Sequence, residues 1–211
     1  MPDTVLIPGG RDVRASLDAP DTPTETCVVA CPPHPLAGGR RSDTRLRAVS
    51  DALAEEGIAC LRFDYGEWAD GRGELADARN ALAWARDEYE SVGLFGFSFG
   101  GAVCLLTAAR ASREGRAPAA VSALAPTAVL SASPDDPPVS DGLDAVAALD
   151  DVACPVQVVY GERDTTAEWK PVVERARDLG FEVEAMSADH FFVGQAPKAA
   201  ARVAAFLAPR L

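Results

Sequence analysis

The chain has 211 residues, 48% of them hydrophobic, and a net charge of −12. That is enough apolar material for one globular domain and rules out a disordered chain; the acidic balance excludes nucleic acid and anionic membranes as natural partners. No apolar run reaches the ~20 residues of a membrane span, and Met1-Pro2-Asp3-Thr4 does not begin a signal peptide.

Val5–Ile7 reads as a short strand stopped by Pro8-Gly9-Gly10, and Val13–Leu17 alternates as a half-exposed strand does. The two are expected to pair as a hairpin at a sheet edge. Thr26–Cys31 is an apolar strand running into Pro32-Pro33-His34-Pro35-Leu36-Ala37-Gly38-Gly39, which is too rich in proline and glycine for a regular element. A helix is expected over Arg40–Gly57, a buried strand over Ile58–Phe63, a loop over Asp64–Gly73 and a helix over Glu74–Tyr89. Then come an apolar strand, Val92–Phe95, the turn Gly96-Phe97-Ser98-Phe99-Gly100-Gly101 and an apolar helix over Ala102–Ala109. Beyond these lie a strand at Ala119–Leu124, a loop over Ser131–Asp141, a short helix at Asp144–Leu149 and a strand at Val156–Tyr160. A helix over Ala167–Leu179, a strand at Phe181–Met186 and a helix over Ala196–Leu207 complete the chain.

Strands alternating with helices demand an α/β fold: a mostly parallel sheet of eight strands with helices on both faces. With no repeat, linker or change in composition, residues 1–211 read as a single domain. Ligands of such sheets bind beyond the carboxyl ends of the strands, so the loops after Cys31, Phe63, Phe97, Tyr160 and Met186 should converge.

Five cysteines, Cys27, Cys31, Cys60, Cys104 and Cys154, are odd in number and lack C-x-x-C spacing. They read as reduced, buried residues of a cytoplasmic protein; Cys31 alone falls near the converging loops, where a reactive thiol is the competing reading. Only Lys170 and Lys198 are lysines. Scarce lysine beside abundant Ala, Asp and Glu fits a salt-adapted source or a GC-rich genome, two readings that composition leaves open.

Ser98 sits between strand and helix with glycine two residues away on each side, the G-x-S-x-G pattern of a nucleophile elbow in the context such an elbow requires. A serine nucleophile needs a base. The chain has two histidines, His34 and His190. In chains built on such an elbow the partners follow in the order serine, acid, histidine, which His190, after the last strand, fits and His34 does not. Asp164, after Val156–Tyr160, is the expected acid, with Glu162 as runner-up; Asp189 adjoins His190, but neighbouring side chains on extended backbone point apart. The amide of Phe99, at the helix start, is expected to hold an oxyanion. Pro35 has no N–H, so Leu36 is the expected second donor. His34, Trp68 and Phe191 are candidates for substrate contact, with Phe97 assigned to the core. Two histidines in separate loops and unpaired cysteines form no metal-ligand set, Gly38-Gly39 is no phosphate loop, and no cofactor is implied.

With these residues placed, the chain resembles the α/β-hydrolase superfamily, and within it small hydrolases related to dienelactone hydrolases. The resemblance covers most of the chain and rests on Cys31-Pro32-Pro33-His34-Pro35-Leu36-Ala37-Gly38-Gly39, Leu61-Arg62-Phe63-Asp64, Gly73-Glu74, the elbow and Ala188-Asp189-His190-Phe191-Phe192. It departs from that group where Tyr65-Gly66-Glu67-Trp68 replaces an Arg-Gly-x-Gly-x-Ser segment, and where Val193 replaces a second histidine. The resemblance implies an α/β-hydrolase fold and a carboxylesterase-like serine hydrolase acting on a small-molecule ester; Ala125–Asp151, mostly loop, leaves room for little or no cap, and a monomer or small homo-oligomer is expected. A non-catalytic binding protein of the same fold and an acyltransferase or lyase are the alternatives.

Overall fold

A computed structural model describes residues 3–130 and 143–211. The expected loop over Ser131–Asp141 lies outside the described residues. Eight strands form one sheet in the order β1-β2-β4-β3-β5-β6-β7-β8. They are β1 (Asp3–Ile7), β2 (Val13–Asp18), β3 (Thr26–Cys31), β4 (Ala59–Phe63), β5 (Ser91–Phe97), β6 (Val121–Leu124), β7 (Val156–Gly161) and β8 (Glu182–Met186). β1 and β2 pair antiparallel, and β2 pairs antiparallel with β4; every other neighbour is parallel.

The order follows from composition. β3, β4, β5 and β6 are almost wholly buried and occupy the middle, whereas β1 and β8, exposed or half-buried except at their last residue, form the edges. Continuous apolar runs need cover on both faces, and the helices supply it. Helices α1 (Thr44–Glu55) and α6 (Ala196–Leu207) lie on one face, with Leu46, Val49, Leu53, Val203 and Phe206 packed against Phe95 and Phe97. Helices α2 (Arg72–Glu88), α3 (Phe99–Arg113), α4 (Ala145–Ala148) and α5 (Lys170–Asp178) lie on the other. Among the described residues, the connection from β6 to β7 holds only four-residue α4 and a 3-10 turn at Leu149–Asp151.

Two helices start three or four residues later than expected. α1 begins at Thr44, not Arg40, because the Asp43 carboxylate accepts from the amides of Arg45 (2.8 Å) and Leu46 (3.4 Å) and caps the helix there. α5 begins at Lys170, not Ala167, because the Asp164 carboxylate takes the Thr166 and Ala167 amides into a turn of its own.

Candidate active site

The carboxyl ends of β3, β4, β5, β7 and β8 feed one cluster of side chains. At its centre the chain leaves β5 and enters α3 through Ser98, whose φ of 58° and ψ of −121° lie in a region that L residues rarely occupy. The strained residue is held on both sides: its amide donates to the Leu124 carbonyl of β6 (2.8 Å), and its carbonyl accepts from the Gly101 amide (2.8 Å). The flanking glycines answer a lack of room. A methyl group at Gly96 would overlap the Gly100 carbonyl, and one at Gly100 would overlap the carbonyls of Cys31 and Pro32.

The strained turn aims the Ser98 hydroxyl at His190, with Oγ and Nε2 3.0 Å apart. Nδ1 of His190 lies 2.7 Å from Oδ2 of Asp164. Both partners are buried, His190 at 5% and Asp164 at 7% exposure. Burial alone would push the Asp164 carboxyl up; the bonds from His190 and from the Ala167 and Thr166 amides outweigh it and hold that carboxyl below its ordinary value. With the carboxylate on Nδ1–H, Nε2 faces the serine as an acceptor. Glu162 is exposed, and Asp189 accepts instead from the Val193 amide (3.3 Å). The three side chains that sequence order selected are therefore the three that meet.

What sets the 2.7 Å separation is a feature that the sequence reading passed over. The loops after β7 and β8 are joined backbone to backbone: Glu162 N–H donates to the Met186 carbonyl (2.9 Å) and Arg163 N–H to that of Ala188 (3.0 Å). A side chain at Gly161 would meet the Ala188 carbonyl at 2.6 Å, so a glycine at the end of β7 was the available signal. Trp169 adds a bond from its indole N–H to the Asp164 carbonyl (3.1 Å). The Phe97 ring lies 5.2 Å from that of His190, and the Arg45 guanidinium sits over the Phe97 ring, 4.5 Å from its centroid. Phe97 is core, as expected, at 1% exposure.

The amide of Phe99 occupies the first turn of α3, where a helix offers no internal acceptor. Leu36 is a correction. Its N–H is not directed to an oxyanion; it donates to Nδ1 of His34 (3.2 Å). His34 precedes a 3-10 turn over Pro35–Ala37, and its ring nitrogen does what a serine or aspartate oxygen does at a helix start. Because Nδ1 accepts, the proton of the neutral ring is on Nε2.

His34 and Trp68 come together in an aromatic group with Phe99, and Phe191 contacts His190. The His34 ring is 4.8 Å from Trp68 and 4.7 Å from Phe99. Phe191 stands edge-on to His190 at 5.1 Å and is half exposed. Cys31 is completely buried, and burial pushes its thiol far up, so the reactive-thiol reading fails. The described residues contain no group of three or more His, Cys, Asp or Glu placed to hold a metal ion.

No protein-family model and no curated protein matches the sequence. Solved structures do match. An alpha-beta serine hydrolase homologue from Coxiella burnetii superposes with a TM-score of 0.78 at 24% identity, over 97% of each chain. A lidless a/b serine hydrolase from Xanthomonas campestris gives 0.73 at 22%, over 94% of this chain and 90% of that one. A dienelactone hydrolase from Anabaena variabilis gives 0.71 at 21%, over 100% and 95%. The chain has the α/β-hydrolase fold. Within that fold Ser98 stands at the β5–α3 turn, and the acid and histidine loops follow β7 and β8.

Proposed function

We propose that the protein is a serine hydrolase that cleaves small carboxylic esters with Ser98, His190 and Asp164. The observation that carries this reading is the unbroken chain of contacts, Oγ to Nε2 at 3.0 Å and Nδ1 to Oδ2 at 2.7 Å, on a serine held in a strained turn. In the proposed cycle His190 takes the Ser98 proton as Oγ attacks the substrate carbonyl. Asp164 keeps the imidazole in the competent tautomer and stabilises the imidazolium. The Phe99 amide bonds the oxyanion. His190 then protonates the leaving alcohol, and water activated by the same ring releases the acid. Leu36 is left out of the oxyanion site because His34 holds its amide.

The alternatives predict different products. A non-catalytic protein would give no turnover, and an acyltransferase would need an acceptor other than water. The small-molecule ester, the absence of a nucleic-acid or membrane partner and a reducing, cytoplasmic setting belong to the same proposal; the net charge and the five free thiols support them.

The test is hydrolysis of short p-nitrophenyl esters alongside labelling by a fluorophosphonate probe. Ser98→Ala is expected to lose the label and to lower kcat by about 10⁶. Cleavage by Ser98→Ala at the wild-type rate would sink the assignment.

A further inference from the structure

Beside the histidine–serine pair, one loop is fastened more firmly than its exposure requires. Residues 64–71 link β4 to α2 and carry Trp68. Two carboxylates of α2, both fully buried, bind this loop's backbone on either side of Trp68: Asp77 Oδ2 accepts from Gly66 N–H (3.0 Å) and Glu74 Oε1 from Ala69 N–H (3.0 Å). Arg11, just before β2, closes the arrangement. Its Nε donates to Asp77 Oδ1 (2.7 Å) and its Nη2 to the Glu67 carbonyl (2.5 Å), with Glu74 at 3.7 Å.

Sequence and space agree on how tight this is. A methyl group at Gly73 would lie 2.5 Å from Arg11 Nη1 and 2.6 Å from the Ala69 Cβ, and one at Gly66 would lie 3.1 Å from the guanidinium. Buried carboxylates are costly unless they are paired and bonded. Here they bond the backbone of one short loop, whose Trp68 lies against His34 (4.8 Å) and Phe99 (5.9 Å), the residue next to Ser98.

We propose that Arg11, Glu74 and Asp77 are positioning residues that hold Trp68 as a fixed wall of the substrate site, and that this wall selects esters carrying a planar aromatic group over aliphatic ones. The proposal rests on the serine-hydrolase reading above and names its substrate class. A rigid indole offers a flat face for stacking at little entropic cost; an aliphatic chain gains less from it.

Methyl benzoate, phenyl acetate and ethyl acetate separate an aromatic acyl group from an aromatic leaving group and both from an aliphatic control. Trp68→Ala is expected to reduce the preference for at least one aromatic ester over ethyl acetate by roughly three- to tenfold, through KM more than kcat. Asp77→Asn is expected to reduce it in the same direction while fluorophosphonate labelling of Ser98 continues. The clamp has a readout of its own. The Trp68 emission, taken as the difference between wild type and Trp68→Phe, should shift to the red and quench more readily with acrylamide in Asp77→Asn. Benzoate should quench it in wild type where acetate does not. Unchanged ester preference in Trp68→Ala, or unchanged Trp68 emission in Asp77→Asn, overturns the inference. Failure of the wild type to take the fluorophosphonate label overturns the hydrolase reading instead, and the benzoate and acrylamide arms still decide the wall and its clamp.

Discussion

Asp164 carries the heaviest electrostatic load in the site. Its side chain has no exposed surface, yet it stays below the ordinary carboxylate range because His190, Ala167 and Thr166 all donate to it. Asp164→Asn is expected to lower kcat by about 10⁴, since an amide in that place favours the wrong imidazole tautomer. Stability should follow the same group. A carboxyl with a depressed folded-state value contributes fully above its unfolded value of about 3.9 and loses that contribution as pH falls through the folded value. The thermal deficit of Asp164→Asn relative to wild type should therefore be full near neutral pH and shrink below about pH 4; a deficit that stays constant into acid would show that packing, not charge, sets it. At this scale the sequence was informative where chain order and strand ends constrained the choice. Ser98 lies between glycines, only two histidines exist, and Asp164 follows a strand. It misled at Leu36, because what occupies that amide is a ring whose position depends on Trp68 and Phe99, residues 32 and 63 positions further along the chain.

The β5–turn–α3 unit is the element on which the site depends, and it works by close approach. α3 is apolar on nearly every side and packs into the sheet. Its first turn touches the β3 loop at Gly100, where a methyl group would strike two backbone carbonyls that cannot turn away. Gly100→Ala is expected to cost about 1–3 kcal/mol as overpacking, a fall in Tm of roughly 3–10 °C, and to slow fluorophosphonate labelling because the shift displaces Ser98. A variant with wild-type Tm and labelling would mean that the loop yields freely. The order and type of the elements were legible from apolar runs and glycine stops, down to the hairpin at the edge. Boundaries were less so. The starts of α1 and α5 were set by carboxylates of Asp43 and Asp164 bonding backbone two or three residues away, which a periodicity reading does not register.

Over the whole molecule, a net charge of −12 on 211 residues opposes compactness. Arginine pairs relieve part of it, among them Arg79–Glu114, Arg113–Asp151 and Arg175–Asp150, but these are exposed and contribute little. Raising KCl from about 0.1 M to 1 M shortens the screening length from about 10 Å to 3 Å, so Tm should rise over that range. Full structure in dilute buffer would favour a GC-rich genome over salt adaptation as the origin of the composition. Charge and topology are separable here. The sheet order follows from which strands are apolar on both faces, and the exposed acidic residues act on how the stability of that sheet depends on salt.

Ser98 and His190 are 92 positions apart, which bears on how the site is assembled. Parallel pairings of such long range form late and slowly, because each strand must wait for the crossover before it. The Ser98 turn needs β5, α3 and β6, but the base proposed for it is supplied only by the loop after β8, oriented by the loop after β7. A chain caught part-way through folding exposes apolar surface and is prone to associate with its neighbours. In that state its serine is an ordinary hydroxyl. On the proposed mechanism, reactivity requires β7 and β8 to be in place, and a chain that stops short of that is expected to be inert.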